Sequence, residues 1–219
     1  ESGCGKSTLT RAILGLEPIS NGVIKLDGEN IQTNKVQKTS RRKIQVVFQD
    51  PYGSFNPRHQ VFKLISEPLY LSEKKVGDIE IREMVSDMLL SVGLDPKDGD
   101  KYIHEFSGGQ RQRIAIARSL IIRPKLIILD EAVSALDVSI RSQILDLLVE
   151  VSESFGLSYL FISHDLSLVK SITTKLLVMK SGKLVEYGKT LDIFNFPKNE
   201  YTKSLISAAP NLENALLKL

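Results

Sequence analysis

The sequence has no apolar run long enough to cross a membrane. Its longest runs, Leu126 to Leu129 and Leu157 to Ile162, fall far short of the roughly 20 residues that span a bilayer. There is no apolar signal segment at the start, and the single cysteine, Cys4, excludes an intrachain disulfide. These absences predict a cytosolic chain whose link to any membrane comes through a partner.

The charge is too evenly balanced to indicate a nucleic-acid partner. The 29 basic and 26 acidic residues leave a net charge of +3, and they are spread along the chain. Hydrophobic residues make up 42% and charged residues 25% of the 219 positions, as in ordinary globular proteins that bury one sizeable core. Because there are no internal repeats either, we expect a single domain.

Helical and extended patterns alternate along most of the chain. Local residue patterns predict helices at Ser7 to Leu16, Ile81 to Val92, Ile114 to Ile121 and Val138 to Phe155. Short apolar runs predict strands at Val23 to Leu26, Ile44 to Phe48, Leu126 to Leu129, Ser158 to Ser163, Leu176 to Met179 and Lys183 to Tyr187. The last two would form a hairpin through Ser181-Gly182. This alternation is typical of an α/β fold with a mainly parallel sheet covered by helices.

A mostly helical lobe interrupts this alternation between Pro57 and Glu105. Its polar stretch from Ser72 to Glu80 predicts a connecting loop, and Gly93 ends the helix that follows. Because the lobe lies between strand-forming stretches, we expect an inserted subdomain of about residues 58–115 rather than an independent domain.

A phosphate-binding loop is indicated at the start of the chain. Gly3, Cys4, Gly5, Lys6, Ser7 and Thr8 match the second half of the phosphate-loop pattern. In this pattern the glycines let backbone N–H groups close around phosphate oxygens at a helix N-terminus. Lys6 would reach the β- and γ-phosphates of ATP, and the Ser7 hydroxyl would complete the shell of a Mg²⁺ ion. The alternative is a plain glycine-rich turn before a helix, which the spacing of Lys6 and Ser7 disfavours.

Two adjacent carboxylates end a buried strand in the middle of the chain. Asp130 and Glu131 follow the apolar run at its carboxyl end, where open α/β sheets bind their ligands. Asp130 would hold Mg²⁺ through water, and Glu131 would polarise the attacking water as general base. Neighbouring strand residues point to opposite sides, so these two roles require a bend just after Asp130. The alternative, a pair of exposed acids at a strand end, fits poorly beside a phosphate loop.

A second glycine-containing motif precedes the helix around Ile114. It reads Phe106, Ser107, Gly108, Gly109 and Gln110. At average residue usage, the four residue types of Ser107 to Gln110 would occur in this order by chance in roughly one in a thousand chains of this length. On these motifs the chain resembles the nucleotide-binding subunits of ATP-binding-cassette (ABC) transporters, in which this stretch is the signature motif.

The resemblance covers nearly the whole chain and implies the rest of the site. The fold would be the P-loop NTPase core of ABC ATPases, with the signature motif on its helical subdomain. Gln49 resembles the Q-loop glutamine, which contacts Mg²⁺ and the attacking water. Asp137 ends a stretch that resembles the D-loop of the nucleotide site, and His164 resembles the switch histidine, which contacts the γ-phosphate and steadies Glu131.

The family's mechanism also implies partners. Two ATPase subunits, identical or different, meet head to tail, so that each ATP lies between Lys6 with its loop on one subunit and Ser107 to Gln110 of the other. The pair works on the cytoplasmic face of the cell membrane beneath two transmembrane permease subunits. An extracytoplasmic solute-binding protein takes part indirectly.

Three further stretches resemble the importers of oligopeptides, dipeptides and nickel. They are Phe48 to Arg58, His104 to Ser107, and the C-terminal segment of about residues 200–219, in which Tyr201 to Leu205 and Ala208 to Pro210 carry the resemblance. Short peptides are the first expectation for the cargo, with nickel or another chelated metal as the alternative. Some members carry an iron–sulfur centre near this end, and we expect none here because Cys4 is the only cysteine.

Two other functions compete with transport. A cassette protein that remodels ribosomes or DNA would usually carry two cassettes or a long coiled-coil insertion, and the sequence shows neither. A non-catalytic regulatory cassette would not need Glu131 and His164. The motifs therefore favour a transport ATPase.

The chain begins with Glu1, inside the phosphate loop, and we expect it to lack its N-terminal strands. The resemblance places on those strands an aromatic residue that stacks on adenine. The same strands would cover a sheet edge and apolar surface that are exposed without them. We therefore expect residues 1–219 alone to bind ATP weakly and to aggregate. Size-exclusion chromatography and ATP titration measure both properties, and micromolar affinity in a monodisperse preparation would contradict this expectation.

Overall fold

The computed structural model of the chain describes residues 4–31, 42–71 and 76–209. They belong to two units, of which the larger is Pro18–Leu160 and the smaller combines Glu1–Glu17 with Phe161–Leu219. None of the helices in the described ranges combines the length and the apolar character that spanning a bilayer requires.

The larger unit begins with a small hairpin, β1 (Lys25–Leu26) and β2 (Glu29–Asn30). The two strands are antiparallel and are joined by Asp27 and Gly28, both at positive φ. The predicted strand from Val23 to Leu26 is thus too long by two residues. Val23 is 61% exposed, so burial does not extend the strand to that end.

Three further strands, β3 (Ile44–Phe48), β4 (Leu126–Asp130) and β5 (Ser158–Ile162), form a sheet in that order. β3 and β4 are parallel, as predicted, with Ile44 opposite Leu126 and Phe48 opposite Asp130. Three consecutive residues of β4, 127–129, are almost completely buried. A strand covered on both faces needs such a continuous apolar run, which explains the sequence of β4.

In the described residues, the predicted helical lobe contains three α-helices and three short 3₁₀ segments. α1 (Lys6–Ile13) precedes them in the chain and belongs to the smaller unit. The elements of the lobe are α2 (Val61–Ser66), the 3₁₀ segment Glu67–Leu71, α3 (Asp78–Ser91), the 3₁₀ segments Pro96–Asp100 and Ile103–Glu105, and α4 (Gly108–Leu120). Their fully buried side chains include Leu64, Ile65, Leu89, Ile103 and Ile114. These residues form the apolar core of the lobe.

The prediction of a loop over Ser72 to Glu80 was wrong in its last part. Residues 72–75 lie outside the described residues, but α3 begins at Asp78, three residues before the predicted start. The first turn of α3 is exposed and carries Asp78 and Glu80, whose negative charges are favourable at a helix N-terminus. Apolar spacing cannot detect such a polar first turn. Gly93 follows the helix at φ +71°, consistent with its predicted role as a terminator.

The longest helix, α5 (Val138–Phe155), has the predicted bounds. Its buried residues Ile144, Leu147, Leu148 and Val151 follow helical spacing along one face. The helix ends at Gly156 in the left-handed conformation that favours glycine.

The smaller unit contains α1, a hairpin and three further helices. These elements are α6 (Leu166–Ile172), β6 (Lys175–Lys180), β7 (Lys183–Lys189), α7 (Thr190–Asn195) and α8 (Glu200–Ser207). Ser181 and Gly182 join the predicted hairpin, both at positive φ, as tight two-residue turns require. α1 ends at Ile13, earlier than the predicted Leu16, and the chain passes through Gly15 at φ +67° soon afterwards.

A single carboxylate on β7 holds the start of α8. Glu186 accepts the backbone N–H groups of Lys198 at 2.8 Å and Asn199 at 3.2 Å. Asn199 in turn caps the helix by accepting the N–H of Tyr201 at 2.9 Å. Helix α8 is the described part of the predicted C-terminal extension, whose residues 210–219 lie outside the described ranges.

We expect the attachment of α8 to depend on pH. Partial desolvation raises the pKa of Glu186, but hydrogen bonds from the N–H of Lys198, the side chain of Thr202 and the N–H of Asn199, together with the charge of Lys198, outweigh it and lower the pKa below the ordinary value. A lowered pKa in the folded state means that the carboxylate stabilises this attachment above its ordinary pKa, and that the contribution is lost as the pH falls through the folded value. Amide hydrogen exchange at Lys198 and Asn199 measures this loss.

The substitution Glu186→Gln should increase hydrogen exchange at both amides at neutral pH. It should also remove the part of the pH dependence of exchange that comes from protonation of the Glu186 carboxylate. Glu200→Gln is the matched control, because Glu200 is an exposed acid on α8 that forms an ion pair with the exposed Lys203. Unchanged exchange in Glu186→Gln would contradict the proposed attachment.

Candidate functional site

The predicted phosphate loop leads directly into α1 in the smaller unit. Gly5 precedes the helix at φ +101°, a conformation that only glycine adopts without strain. Lys6, Ser7 and Thr8 form the first turn, in which Ser7 and Thr8 are exposed. The helix therefore presents its N-terminal N–H groups together with two hydroxyls, the donors that a phosphate requires. Gly3 lies outside the described residues.

The turn between β6 and β7 contacts the backbone of this loop. The N–H of Gly182 donates to the carbonyl oxygen of Cys4 at 3.0 Å. A Cβ atom on Gly5 would lie 3.3 Å from the Cα of Gly182, so the two backbones are in close approach. From the sequence, Gly182 was predicted only as a turn residue, because no local pattern relates it to a loop far away in the chain.

Cys4 fills the loop and contacts the predicted phosphate-binding lysine. Its side chain is buried, and the Lys6 ammonium donates to its Sγ atom at 3.4 Å. A small, weakly polar side chain fits this position.

His164 lies on a tight connection between β5 and α6. The N–H of Asp165 donates to the Ser163 hydroxyl at 3.0 Å, and Asp165 caps α6 by accepting the N–H of Leu168 at 3.2 Å. These two bonds fix the residues on either side of His164 and leave its ring exposed. The local structure thus presents an imidazole at the surface directly after a strand end.

In the larger unit, the chain bends immediately after Asp130, as the two predicted carboxylate roles require. Glu131 has φ +53°, a left-handed conformation that costs a non-glycine residue about 1 kcal/mol or more. Ser134 holds the bend with two hydrogen bonds to the Glu131 carbonyl oxygen, from its N–H at 3.0 Å and its hydroxyl at 2.8 Å. Such strain in a half-buried acid is typical of functional sites.

Gln49 lies at the same sheet edge as these carboxylates. Phe48 and Asp130 are partners in the parallel β3–β4 ladder, so Gln49 and Glu131 each follow by one residue at neighbouring strand ends. Adjacent strands are about 4.8 Å apart. The structure therefore brings together three of the predicted site residues, Gln49, Asp130 and Glu131.

The donor types at this edge fit a hard cation. Amide and carboxylate oxygens are the ligands that Mg²⁺ prefers, and Mg²⁺ is usually held by one or two carboxylates together with water and phosphate oxygens. Residues 4–31, 42–71 and 76–209 contain no cluster of three or more His, Cys, Asp or Glu side chains that could hold a metal ion. Asp130 and Gln49 are the residues here that could bind such an ion.

The signature motif begins α4 with a reciprocal pair of hydrogen bonds. The N–H of Gln110 donates to Ser107 Oγ at 3.3 Å, and the N–H of Ser107 donates to Gln110 Oε1 at 3.0 Å. This capping box satisfies two N–H groups and fixes both side chains at the exposed end of the helix.

The two glycines of the motif differ in their surroundings. A Cβ atom on Gly109 would lie only 2.6 Å from Cγ2 of Ile140 on α5, whereas one on Gly108 would meet nothing within 4 Å. Gly109 therefore permits close packing of α4 against α5. No contact among the described residues demands a glycine at position 108, which leaves room for a ligand above the helix N-terminus.

Asp137 caps α5, a structural role beside its predicted one. Its carboxylate accepts the N–H of Ile140 at 2.9 Å and the hydroxyl of Ser139 at 3.0 Å, and these bonds lower the pKa of Asp137, the backbone bond most strongly. Arg141 donates to the carbonyl oxygen of Leu136 at 3.1 Å. The predicted D-loop is thus fixed by the start of α5, which the sequence motif did not indicate.

Comparison with protein families matches residues 1–134 to the model described as ABC transporter. The chain is 50% identical over 96% of its length to the oligopeptide transport ATP-binding protein OppF of Haemophilus influenzae. It is 47% identical over 97% of its length to the dipeptide transport ATP-binding protein DppF of Escherichia coli. The chain covers 64% of each, slightly less than two thirds. For OppF of Bacillus subtilis, the identity is 46% over 96% of this chain and 70% of that protein.

A solved structure confirms the predicted fold. The structure of CbiO1 from Clostridium perfringens, part of the ABC transporter complex CbiONQ, is similar with a TM-score of 0.81 and 30% identity. The match covers 100% of this chain and 85% of that one. The α/β fold is therefore that of a P-loop NTPase of the ABC type.

The signature glycines provide a matched pair of substitutions. Gly109→Ala places a methyl group where Ile140 already lies, so we expect the free energy of unfolding to fall by about 1–3 kcal/mol. Gly108→Ala meets no neighbour and replaces glycine by a better helix former, so we expect unchanged stability or a gain of up to about 1 kcal/mol. Chemical denaturation of the two variants measures the difference.

Ile140→Ala is the control, because it removes the Cγ2 atom that the new methyl group would strike. Gly109→Ala should cost less in that background than in the parent protein. Equal stabilities of Gly108→Ala and Gly109→Ala would show that close packing does not explain Gly109.

Proposed function

The chain belongs to the ABC transporter family, and we propose that it is the ATP-binding and ATP-hydrolysing subunit that energises an importer of short peptides. The observation that carries the chemistry is the position of Gln49, Asp130 and Glu131 at the carboxyl ends of two neighbouring strands, with a bend in the chain between the two acids. The cargo class rests on the oligopeptide and dipeptide transport proteins to which the chain is similar. No described feature favours nickel over peptides.

In the proposed mechanism, the start of α1 binds the phosphates of ATP. The N–H groups from Gly5 onwards and the Lys6 ammonium hold the phosphate oxygens, and His164 contacts the γ-phosphate. Ser7, Gln49 and Asp130 would hold Mg²⁺, which when bound neutralises the charge that develops on the transferred phosphoryl group. The Gly182 contact to Cys4 keeps the loop in shape before ATP arrives.

Glu131 is the proposed general base. Its carboxylate orients a water molecule and accepts the proton that this water loses as it attacks the γ-phosphate. In a regular strand Glu131 would point to the side opposite Asp130, and the left-handed backbone at Glu131 breaks that alternation, so that both acids can serve one site. Gln49 assists by contacting both the cation and the water.

We further propose that a second ATPase subunit, identical or different, completes each site. Ser107, Gly108, Gly109 and Gln110 of one subunit would close over the phosphates that the other subunit holds, and Asp137 would lie near the same nucleotide. The open space at Gly108 supports this role. ATP then favours the closed dimer, and hydrolysis releases it.

The complete assembly would place two such subunits beneath two permease subunits on the cytoplasmic face of the membrane. A solute-binding protein on the other side would deliver the peptide. Within the chain, residues 1–219 would form one nucleotide-binding domain with an inserted helical subdomain at about 58–115 and an extension at about 200–219.

The test uses the complete protein assembled with its permeases in lipid vesicles. We expect peptide-loaded binding protein to stimulate ATP hydrolysis, and Glu131→Gln to lower the hydrolysis rate by about a hundredfold or more while ATP binding is retained. Glutamine is nearly isosteric with glutamate but cannot accept the proton. ATP-bound dimers should therefore accumulate, which sedimentation in the presence of ATP measures.

Glu83→Gln is the control, since Glu83 is an exposed acid on α3, outside every motif of the site. It should hydrolyse ATP as the parent does. Steady-state hydrolysis that is unchanged in Glu131→Gln would refute the role of Glu131, and stimulation by a nickel chelate but not by peptides would refute the cargo.

A further inference from the structure

Two arginines of the signature helix α4 contact the turn that follows Gln49, which comprises Asp50 to Phe55. Arg111 and Arg118 are seven residues apart on α4, about two helical turns, and so face the same side. The guanidinium of Arg111 lies 4.8 Å from the ring centroid of Tyr52, and that of Arg118 lies 5.5 Å from the ring of Phe55. Arg118 also donates to the carbonyl oxygen of Ser54 at 3.0 Å.

This turn is short and is stabilised by hydrogen bonds within it. The N–H of Tyr52 donates to the Asp50 carboxylate at 3.0 Å, and the hydroxyl of Ser54 donates to the carbonyl oxygen of Pro51 at 2.7 Å. Phe55 is buried at its end. A displacement of Tyr52 is therefore passed along a stiff segment to Gln49, only three residues away.

Arg111 also holds the approach to the signature motif. Its Nε donates to the carbonyl oxygen of Ile103 at 3.1 Å, and an Nη atom donates to that of His104 at 3.3 Å. Its backbone N–H donates to the carbonyl oxygen of Ser107 at 2.9 Å. One planar side chain thus contacts the segment before the motif and, through its face, the turn after Gln49.

We propose that Arg111 is a positioning residue that couples Gln49 to the signature motif, with Arg118 as a second anchor on the same turn. The inference rests on the proposed function, in which Gln49 serves the ATP of its own subunit while Ser107 serves the ATP of the partner subunit. The contact then links the two ATP sites of a dimer through each subunit. Lysine cannot replace arginine here, because it lacks the planar fork that donates to two carbonyl groups while it stacks on a ring.

The first experiment measures ATP hydrolysis by the complete protein in its assembled complex. We expect Arg111→Lys to lower kcat about two- to fivefold and to reduce the cooperativity of the ATP dependence, with the melting temperature unchanged. ATP binding should be retained, because none of the contacts described for Arg111 involves the phosphate loop that would bind the ATP of its own subunit. Tyr52→Leu should have the same effect, and the double variant should be no worse than either single variant.

Arg82→Lys is the matched control. Arg82 stacks on Phe62 at 4.8 Å, the same distance as in the Arg111–Tyr52 pair, but joins α3 to α2 within the helical lobe. It should leave kcat and cooperativity unchanged. An equal loss in Arg82→Lys, or losses that multiply in the double variant of Arg111 and Tyr52, would overturn the coupling role.

A second readout does not depend on hydrolysis. The 219 residues contain no tryptophan, so Tyr52→Trp introduces an indole whose emission is obtained by difference from the parent protein. We expect this emission to differ between the Arg111 and Arg111→Lys backgrounds and to change when ATP is added only in the former. Identical emission in both backgrounds would overturn the inference, whereas a wild-type complex without ATPase activity would refute the proposed function and leave this readout to decide the coupling.

Discussion

The parallel pairing of β3 with β4 is the constraint on which the proposed catalytic edge depends. Its register places Phe48 opposite Asp130, and the residues that follow inherit that alignment. A slip by one residue would move Gln49 away from Glu131 and would also turn the apolar side chains of β3 to the wrong face. Residues 127–129 of β4 are buried, so the strand that ends at Asp130 belongs to the core as well as to the proposed site.

The signature helix α4 contributes in a different way, since almost every residue at its start serves a contact. Ser107 and Gln110 cap each other, Gly109 admits Ile140, and Arg111 reaches the carbonyl groups before the motif. At Gly108, by contrast, an added Cβ atom would meet none of the described residues within 4 Å. The motif is thus first a device for starting and packing a helix, and the exposed surface that remains is the part available to a ligand.

Local patterns in the sequence predicted the strands around the site and the long helix α5, because apolar periodicity and strand-end acids leave direct marks. They were less accurate where polarity hides an element, as in the first turn of α3 at Asp78, or where exposure shortens one, as at Val23. The contacts of Gly182 with Cys4 and of Gly109 with Ile140 were not predictable, because each joins segments that are distant in sequence. Family resemblance named the motifs, but it did not indicate what holds them in place.

The backbone at Glu131 sets stability against activity at a single position. Glycine would adopt φ +53° at lower cost, yet glycine has no carboxylate. A laboratory selection for thermal tolerance alone would therefore be expected to discard the acid and retain the bend. Selection for turnover through the proposed general base would do the opposite, so a strained glutamate at this position is what the proposed role of Glu131 predicts.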